Sequence, residues 1–168
     1  MTRRKPLSRL SRTPKEIVIP LIMCADGPST PMVRPGDPVT IGQPIARRGQ
    51  TGAAAFASVS GRVAAVEDRP HPWGGRSPAI VIQNDERNEH YEGRPAPLDP
   101  RQLTLEQLVE RVEWAGVVGM GGGAFPTWEK ITAAFGKVDT LIVNVAECEP
   151  YVTADYRLLL ERSEHILR

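Results

Sequence analysis

The sequence predicts an α+β protein, with an all-β module in front and the first part of an α/β, Rossmann-like unit behind. Three observations carry this. Short β-prone runs separated by Gly and Pro turns occupy the first half. The hydrophobic period turns helical only after a stretch broken by Gly93, Pro95, Pro97 and Pro100. In the second half, a glycine-dense loop, Gly119-Met-Gly-Gly-Gly-Ala-Phe-Pro-Thr-Trp-Glu-Lys130, is followed by an apolar run, Thr140-Leu-Ile-Val-Asn-Val-Ala146.

Residues 1–15 form a tail with Arg3, Arg4, Lys5, Arg9, Arg12 and Lys15 and no acid before Glu16. It reads as a frayed, solvated terminus or as a contact for an anionic surface or partner. It has no apolar core segment, which argues against a cleaved signal. Residues 16–87 form the β module, with strands expected at Ile17–Ile19, Val39–Ile41, Phe56–Val66 and Ala79–Gln83. Residues 88–101 read as a linker.

The remainder, 102–168, begins with a helix in which Leu105, Leu108, Val109 and Val112 share a face. Thr104 and Gln107 are spaced as a capping box, and Gly116 follows as a stop. The glycine loop comes next, then a short helix from about Trp128 to Phe135, capped by Thr127 and closed by Gly136. A strand centred on Leu141–Val143 and a last helix from near Ala154, with Tyr156, Leu159, Leu160, Ile166 and Leu167 on one face, complete the chain. One strand with three helices is an incomplete α/β layer, so the sequence reads as the front part of a longer protein or a truncated product.

Charge sets limits on function. With 21 basic and 20 acidic residues the chain has no concentrated positive surface for nucleic acid. No run reaches the ~20 apolar residues of a membrane span, so the chain is expected to have no transmembrane segment and to meet a membrane only through partners. Cys24 and Cys148 are its two cysteines, which fits a reducing compartment and excludes an all-cysteine iron–sulfur site. His71, His90 and His165 are scattered without metal-ligand spacing, so no metal site is expected.

Val33 to Ile45 places apolar residues around glycine turns, and Ser58 to Val63 repeats the arrangement. That spacing resembles the barrel-sandwich fold of biotinyl and lipoyl carriers. A carrier needs a lysine at a hairpin tip, and Lys5, Lys15, Lys130 and Lys137 all lie outside the module. A docking platform or plain scaffolding remains.

The glycine loop fits the G-x-G-x-x-A form of the dinucleotide fingerprint through Gly119, Gly121 and Ala124, yet a helix rather than a strand precedes it and Asp139 lies before the apolar run. A Walker loop fails too, because Lys130 is outside the Gly-Lys-Ser/Thr context. A tight connection between helices is the bland alternative. Against it, Phe125-Pro126-Thr127 stiffens the exit and aims backbone amides at a helix N-terminus, where an anion is favoured and Lys130 is within reach. Beyond the apolar run, Asn144, Glu147 and Glu149 supply acceptors, and Cys148 reads as a packing residue because no histidine is nearby to activate it. The set suits a flavin and its nicotinamide donor.

At these residues the chain resembles the RnfC component of the Rnf-type ion-translocating electron transport complex and, more distantly, the flavoprotein subunit of respiratory complex I. The pattern Gly-x-Gly-Gly-Ala-Gly-Phe-Pro-Thr-x-x-Lys is followed there by Asn-x-x-Glu-Cys-Glu-Pro-Tyr and a Thr-Ala-Asp helix start. Here Asn144, Glu147, Cys148, Glu149, Pro150, Tyr151, Thr153, Ala154 and Asp155 stand in those places. The β module resembles the barrel-sandwich hybrid domain at the front of that component.

The resemblance implies an FMN/NADH-binding domain in which FMN is held at Gly119, Gly121 and Gly122, with Lys130, Asn144 and Glu147 reaching the flavin or its phosphate. Phe125 would stack beside the nicotinamide and Glu149 would contact NADH. No catalytic acid, base or nucleophile is implied, because the redox chemistry belongs to the cofactors. [4Fe-4S] clusters are expected only in the family's C-terminal region. The implied partners are NADH and the other subunits of a membrane complex, and the implied location is peripheral, on the cytoplasmic side of the bacterial inner membrane. This chain has Gly123-Ala124 where the pattern has Ala-Gly, so a methyl group sits where a positive φ would be strained. A cobalamin reductase of the microcompartment type and a non-enzymatic docking module with a vestigial flavin domain are the alternatives.

Overall fold

The computed structural model describes residues 6–8, 13–23, 28–47, 55–119 and 124–166. These form two compact units: Thr13–Phe135, and Met1–Arg12 together with Gly136–Arg168.

Among its described residues the first unit opens with seven strands: β1 (Glu16–Pro20), β2 (Thr30–Pro31), β3 (Pro38–Val39), β4 (Pro44–Arg47), β5 (Ala55–Phe56), β6 (Gly61–Pro70) and β7 (Arg76–Asn84). They build one four-stranded sheet in the order β1-β7-β6-β3 and one three-stranded sheet in the order β2-β4-β5, antiparallel throughout. Leu21, Val33, Val39, Ile45, Ala57, Val59, Val63, Ile80 and Ile82 form the core. Alternate residues of a strand face one side, so Ile80 and Ile82 of β7 enter this core together.

The expected run from Phe56 to Val66 divides in two. Ser60 is buried in the bend between β5 and β6, where its hydroxyl donates to Asp85 at 2.6 Å. That bond is the main influence holding the Asp85 carboxyl below its ordinary range, helped by the Arg87 amide. A bulge follows: Val63 pairs with Ile82 and Ala65 with Val81, so Ala64 is the extra residue and the alternation of faces shifts there. Strands β2 and β4 were not expected, because Pro31 and Pro44 lower the strand signal. Pro44 is tolerated as the first residue of its strand.

The segment expected to be a linker is strapped to the module. The Ile41 amide donates to the Glu89 carbonyl at 2.8 Å, and the Tyr91 amide returns a bond to the Ile41 carbonyl at 3.0 Å. Arg94 Nη2 donates to that same carbonyl at 2.8 Å. At the other end Arg111 Nη1 donates to the Ala96 carbonyl at 2.9 Å, and Phe56 meets Trp114 edge to face at 5.8 Å between centroids.

Among the described residues a 3-10 turn at Pro100–Gln102 leads into three α-helices: α1 (Leu105–Trp114), α2 (Thr127–Ala134) and α3 (Ala154–Ile166). The capping box at Thr104 and Gln107 is formed with both bonds, and Gly116 and Gly136 take the left-handed φ expected of stops. Thr127 is the first helical residue of α2 rather than its cap. Pro126 takes the cap position, with no side-chain bond. Helix α3 is kinked at Arg162.

The strand expected at Leu141–Val143 is absent. Among the described residues, residues 140–147 have no strand partner, and Leu141 and Ile142 are 89% and 84% exposed. Strand geometry is sustained by a neighbouring ladder, and among the described residues no strand follows β7. For the same reason α3 buries no residue, and its apolar side chains have no layer to cover.

Candidate functional site

The glycine loop leaves α1 through Gly116 and re-enters the fold at α2, and its two ends are bonded across the neck. Val118 and Pro126 form an antiparallel bridge. The Gly119 amide donates to the Phe125 carbonyl at 2.9 Å, and the Thr127 amide donates to the Val117 carbonyl at 3.0 Å. Those two amides are therefore engaged in closing the loop. Gly121 and Gly122 lie outside the described residues.

Inside the neck Ala124 has φ 45°, the left-handed conformation that its methyl group resists. Lys130, in the fourth position of α2, turns back over the neck. Its ammonium lies 5.6 Å from the centroid of the half-exposed Phe125 ring. It also lies 3.7 Å from the point a Cβ on Gly119 would occupy, so that glycine leaves the approach open. Gly119, Phe125 and Lys130 are thus brought together, with a cation on a long stem beside an aromatic face.

Asn144, Glu147 and Glu149 belong to the other unit. Asn144 Oδ1 accepts from the Ala146 amide at 3.0 Å, a local turn. Glu147 Oε1 accepts from the Tyr156 amide at 3.1 Å, in the first turn of α3, where a carboxylate is favoured by the helix dipole. The Glu149 carbonyl accepts from Val152 at 3.3 Å, and Cys148 is exposed. Among the described residues no cluster of His, Cys, Asp and Glu could hold a metal ion. A groove of about 710 Å³ on the β module, lined by Arg62, Asp85 and Arg87, contains none of the expected site residues.

The sequence profile of the RnfC barrel sandwich hybrid domain matches residues 1–87, and that of the Nuo51 FMN-binding domain matches residues 112–168. The chain belongs to the RnfC family. The corresponding component of the proton-translocating ferredoxin:NAD(+) oxidoreductase complex of Clostridium ljungdahlii is 39% identical over 99% of this chain and 36% of its own length. The Na(+)-translocating counterpart from Acetobacterium woodii is 35% identical over 93% of the chain, and that of the ion-translocating oxidoreductase complex of Vibrio cholerae is 38% identical over 98%. The chain spans 36% of the length of the Clostridium and Acetobacterium relatives and 22% of the Vibrio one. As an RnfC-family chain it is related to C subunits of ion-translocating oxidoreductase complexes, and among the described residues no helix is long and apolar enough to cross a membrane.

For this RnfC-family chain, sequence reasoning missed the strap arginines and the capping task of Glu147. Arg94 and Arg111 act through bonds to distant backbone carbonyls, which leave no local pattern. Glu147 reaches an amide nine residues ahead, beyond the three-residue reach of a capping box.

Proposed function

We infer that the chain carries part of an electron-transfer subunit that moves electrons between NAD(H) and iron–sulfur clusters through FMN, in a membrane-associated, ion-translocating complex. One observation carries the reading: the Lys130 ammonium stands over the bonded neck of the glycine loop, beside the open Gly119 position. A cation held beside a bonded neck, at a glycine that carries no side chain, suits the phosphate end of FMN. The match of residues 112–168 to an FMN-binding domain supports the same assignment.

In this reading Lys130 pairs with the phosphate, Gly119 and the following glycines admit it closely, and Phe125 offers a face for a planar ring. Asn144, Glu147 and Glu149 supply acceptors toward the flavin and the nicotinamide. FMN, when bound, supplies the chemistry, taking electrons as a pair and releasing them singly. The clusters belong to the part of the relatives beyond this chain, since Cys24 and Cys148 are too few to ligate one. The same reading places the subunit peripherally on the cytoplasmic face of the bacterial inner membrane, with the other subunits of the complex as partners.

The test is to titrate the purified chain with FMN, following quenching of flavin fluorescence, and then to add NADH anaerobically and watch the flavin absorbance. Bound flavin bleached by NADH supports the assignment. A chain that leaves FMN fluorescence unchanged, alone and when extended by the region its relatives carry, removes it.

A further inference from the structure

Lys130 and Phe125 occupy each other in a way that affects any ligand needing both. The Lys130 ammonium stands 5.6 Å from the Phe125 centroid, within the range of a cation–π contact. Among the described residues no carboxylate forms a salt bridge with Lys130. Glu129, its neighbour in sequence, points about 100° away around the helix. The aromatic ring is therefore its partner, and the cation stands over one side of the half-exposed ring.

We propose that Lys130 is parked on Phe125 until an anion arrives, and that its transfer to the anion uncovers the ring for a planar group to stack on. The proposal rests on the flavin reading above and adds an order of binding: phosphate first, aromatic ring second.

The energetics favour the exchange. A half-exposed cation–π contact is worth a factor of about two to five in an equilibrium constant. A charge-assisted bond to a phosphate is stronger, so the cation leaves the ring when the phosphate is present. Parking lowers the apparent anion affinity by the fraction of molecules parked. Linkage then requires that a ring stacked on Phe125, which excludes the ammonium, raise anion affinity by the same factor as the anion raises stacking.

The exchange is tested by NMR on the full chain carrying isotope-labelled lysine. In the free protein the Lys130 ε-methylene protons should be ring-shifted upfield relative to Phe125→Leu. FMN should return them to the unshifted position at lower concentration than riboflavin, which lacks the phosphate and must displace the ammonium by stacking alone. Phe125→Leu should bind inorganic pyrophosphate, which has no ring to stack, about three- to six-fold more tightly than the unaltered chain.

Identical Lys130 signals in the unaltered chain and Phe125→Leu would overturn the proposal whatever the ligand, as would FMN binding with the signal still ring-shifted. If neither flavin binds, the flavin reading fails separately, and inorganic pyrophosphate decides the exchange. Release of the ring-shifted signal by pyrophosphate supports it, and an unmoved signal overturns it.

Discussion

The Gly119 amide donates to the Phe125 carbonyl at 2.9 Å, so the two ends of the glycine loop are bonded to each other. Closure has a conformational consequence. Ala124, next to the closing bond, takes a φ of 45°.

A left-handed residue bearing a Cβ costs about 1–2 kcal/mol relative to the ordinary conformation. Ala124→Gly removes that cost and adds some unfolded-chain freedom, worth about 0.4–1 kcal/mol. The variant should therefore be more stable by about 0.5–1 kcal/mol, read from urea unfolding followed by tryptophan fluorescence. Equal or lower stability would mean that φ at this residue is negative in solution.

Gly61 makes the opposite case. A Cβ there would sit 1.9 Å from the Gln83 carbonyl oxygen, part of the β6–β7 ladder, at a φ of 152°. Backbone cannot yield as a side chain can, so Gly61→Ala should cost roughly 3 kcal/mol or more. Gly36→Ala is the control: its φ is 97° with open space around it, so it should cost only about 1 kcal/mol. Similar losses in the two variants would show that backbone conformation alone, and not the clash, sets the requirement at Gly61.

Glu161 predicts a pH-dependent contact in the second unit. Both its carboxylate oxygens accept from the Leu7 amide, at 3.1 and 3.2 Å, and Arg157 pairs with it one turn away. Desolvation pushes its pKa up, but the Arg157 bond, the Leu7 amide and the charges of Arg157 and Arg162 together outweigh that and hold it below the ordinary value. A lowered folded value means the contact is fully present above the unfolded value and is lost as pH falls through the folded one. Exchange protection of the Leu7 amide, normalised for its intrinsic rate, should fall on acidification and vary little with pH in Glu161→Gln. Protection that is flat with pH in the unaltered chain would contradict this.

How far the sequence could be read depended on whether the partners were local. Thr104 and Gln107 lie one turn apart, so their reciprocal bonds were legible, and so were Gly116 and Gly136 as stops. The inversion at Gly123-Ala124 pointed to a strained residue, and Ala124 is one. Long-range partners were illegible. The Pro-rich stretch looked like a linker because nothing local reveals that Ile41 pairs with Glu89 and Tyr91, and Pro31 and Pro44 hid two strands whose partners lie elsewhere. The apolar run at 140–146 has strand composition, but composition supplies no ladder.

Glu147 should stabilise α3 through the Tyr156 amide. Removing an acceptor from the first turn of a helix costs about 1 kcal/mol. Glu147→Ala should therefore speed exchange of the Tyr156 amide and fray the start of α3, while Glu147→Gln, which keeps an acceptor, should do so less. If both variants leave Tyr156 exchange unchanged, the carboxylate does not cap the helix in solution.

The unpaired run also predicts how this chain behaves alone. Leu141, Ile142, Val143 and Val145 are exposed, and their segment pairs with no strand among the described residues. Unpaired backbone carrying β-branched side chains is a template for pairing with another chain. The isolated chain should self-associate in a concentration-dependent way, read by sedimentation velocity. Placing lysines in this segment, Ile142→Lys with Val143→Lys, should return it to a monomer without changing the circular dichroism of the β module. The charges act on the association and not on the fold, because no residue from Gly136 to Ile166 is buried. A monomeric unaltered chain at high concentration would show that the run finds a partner within its own molecule.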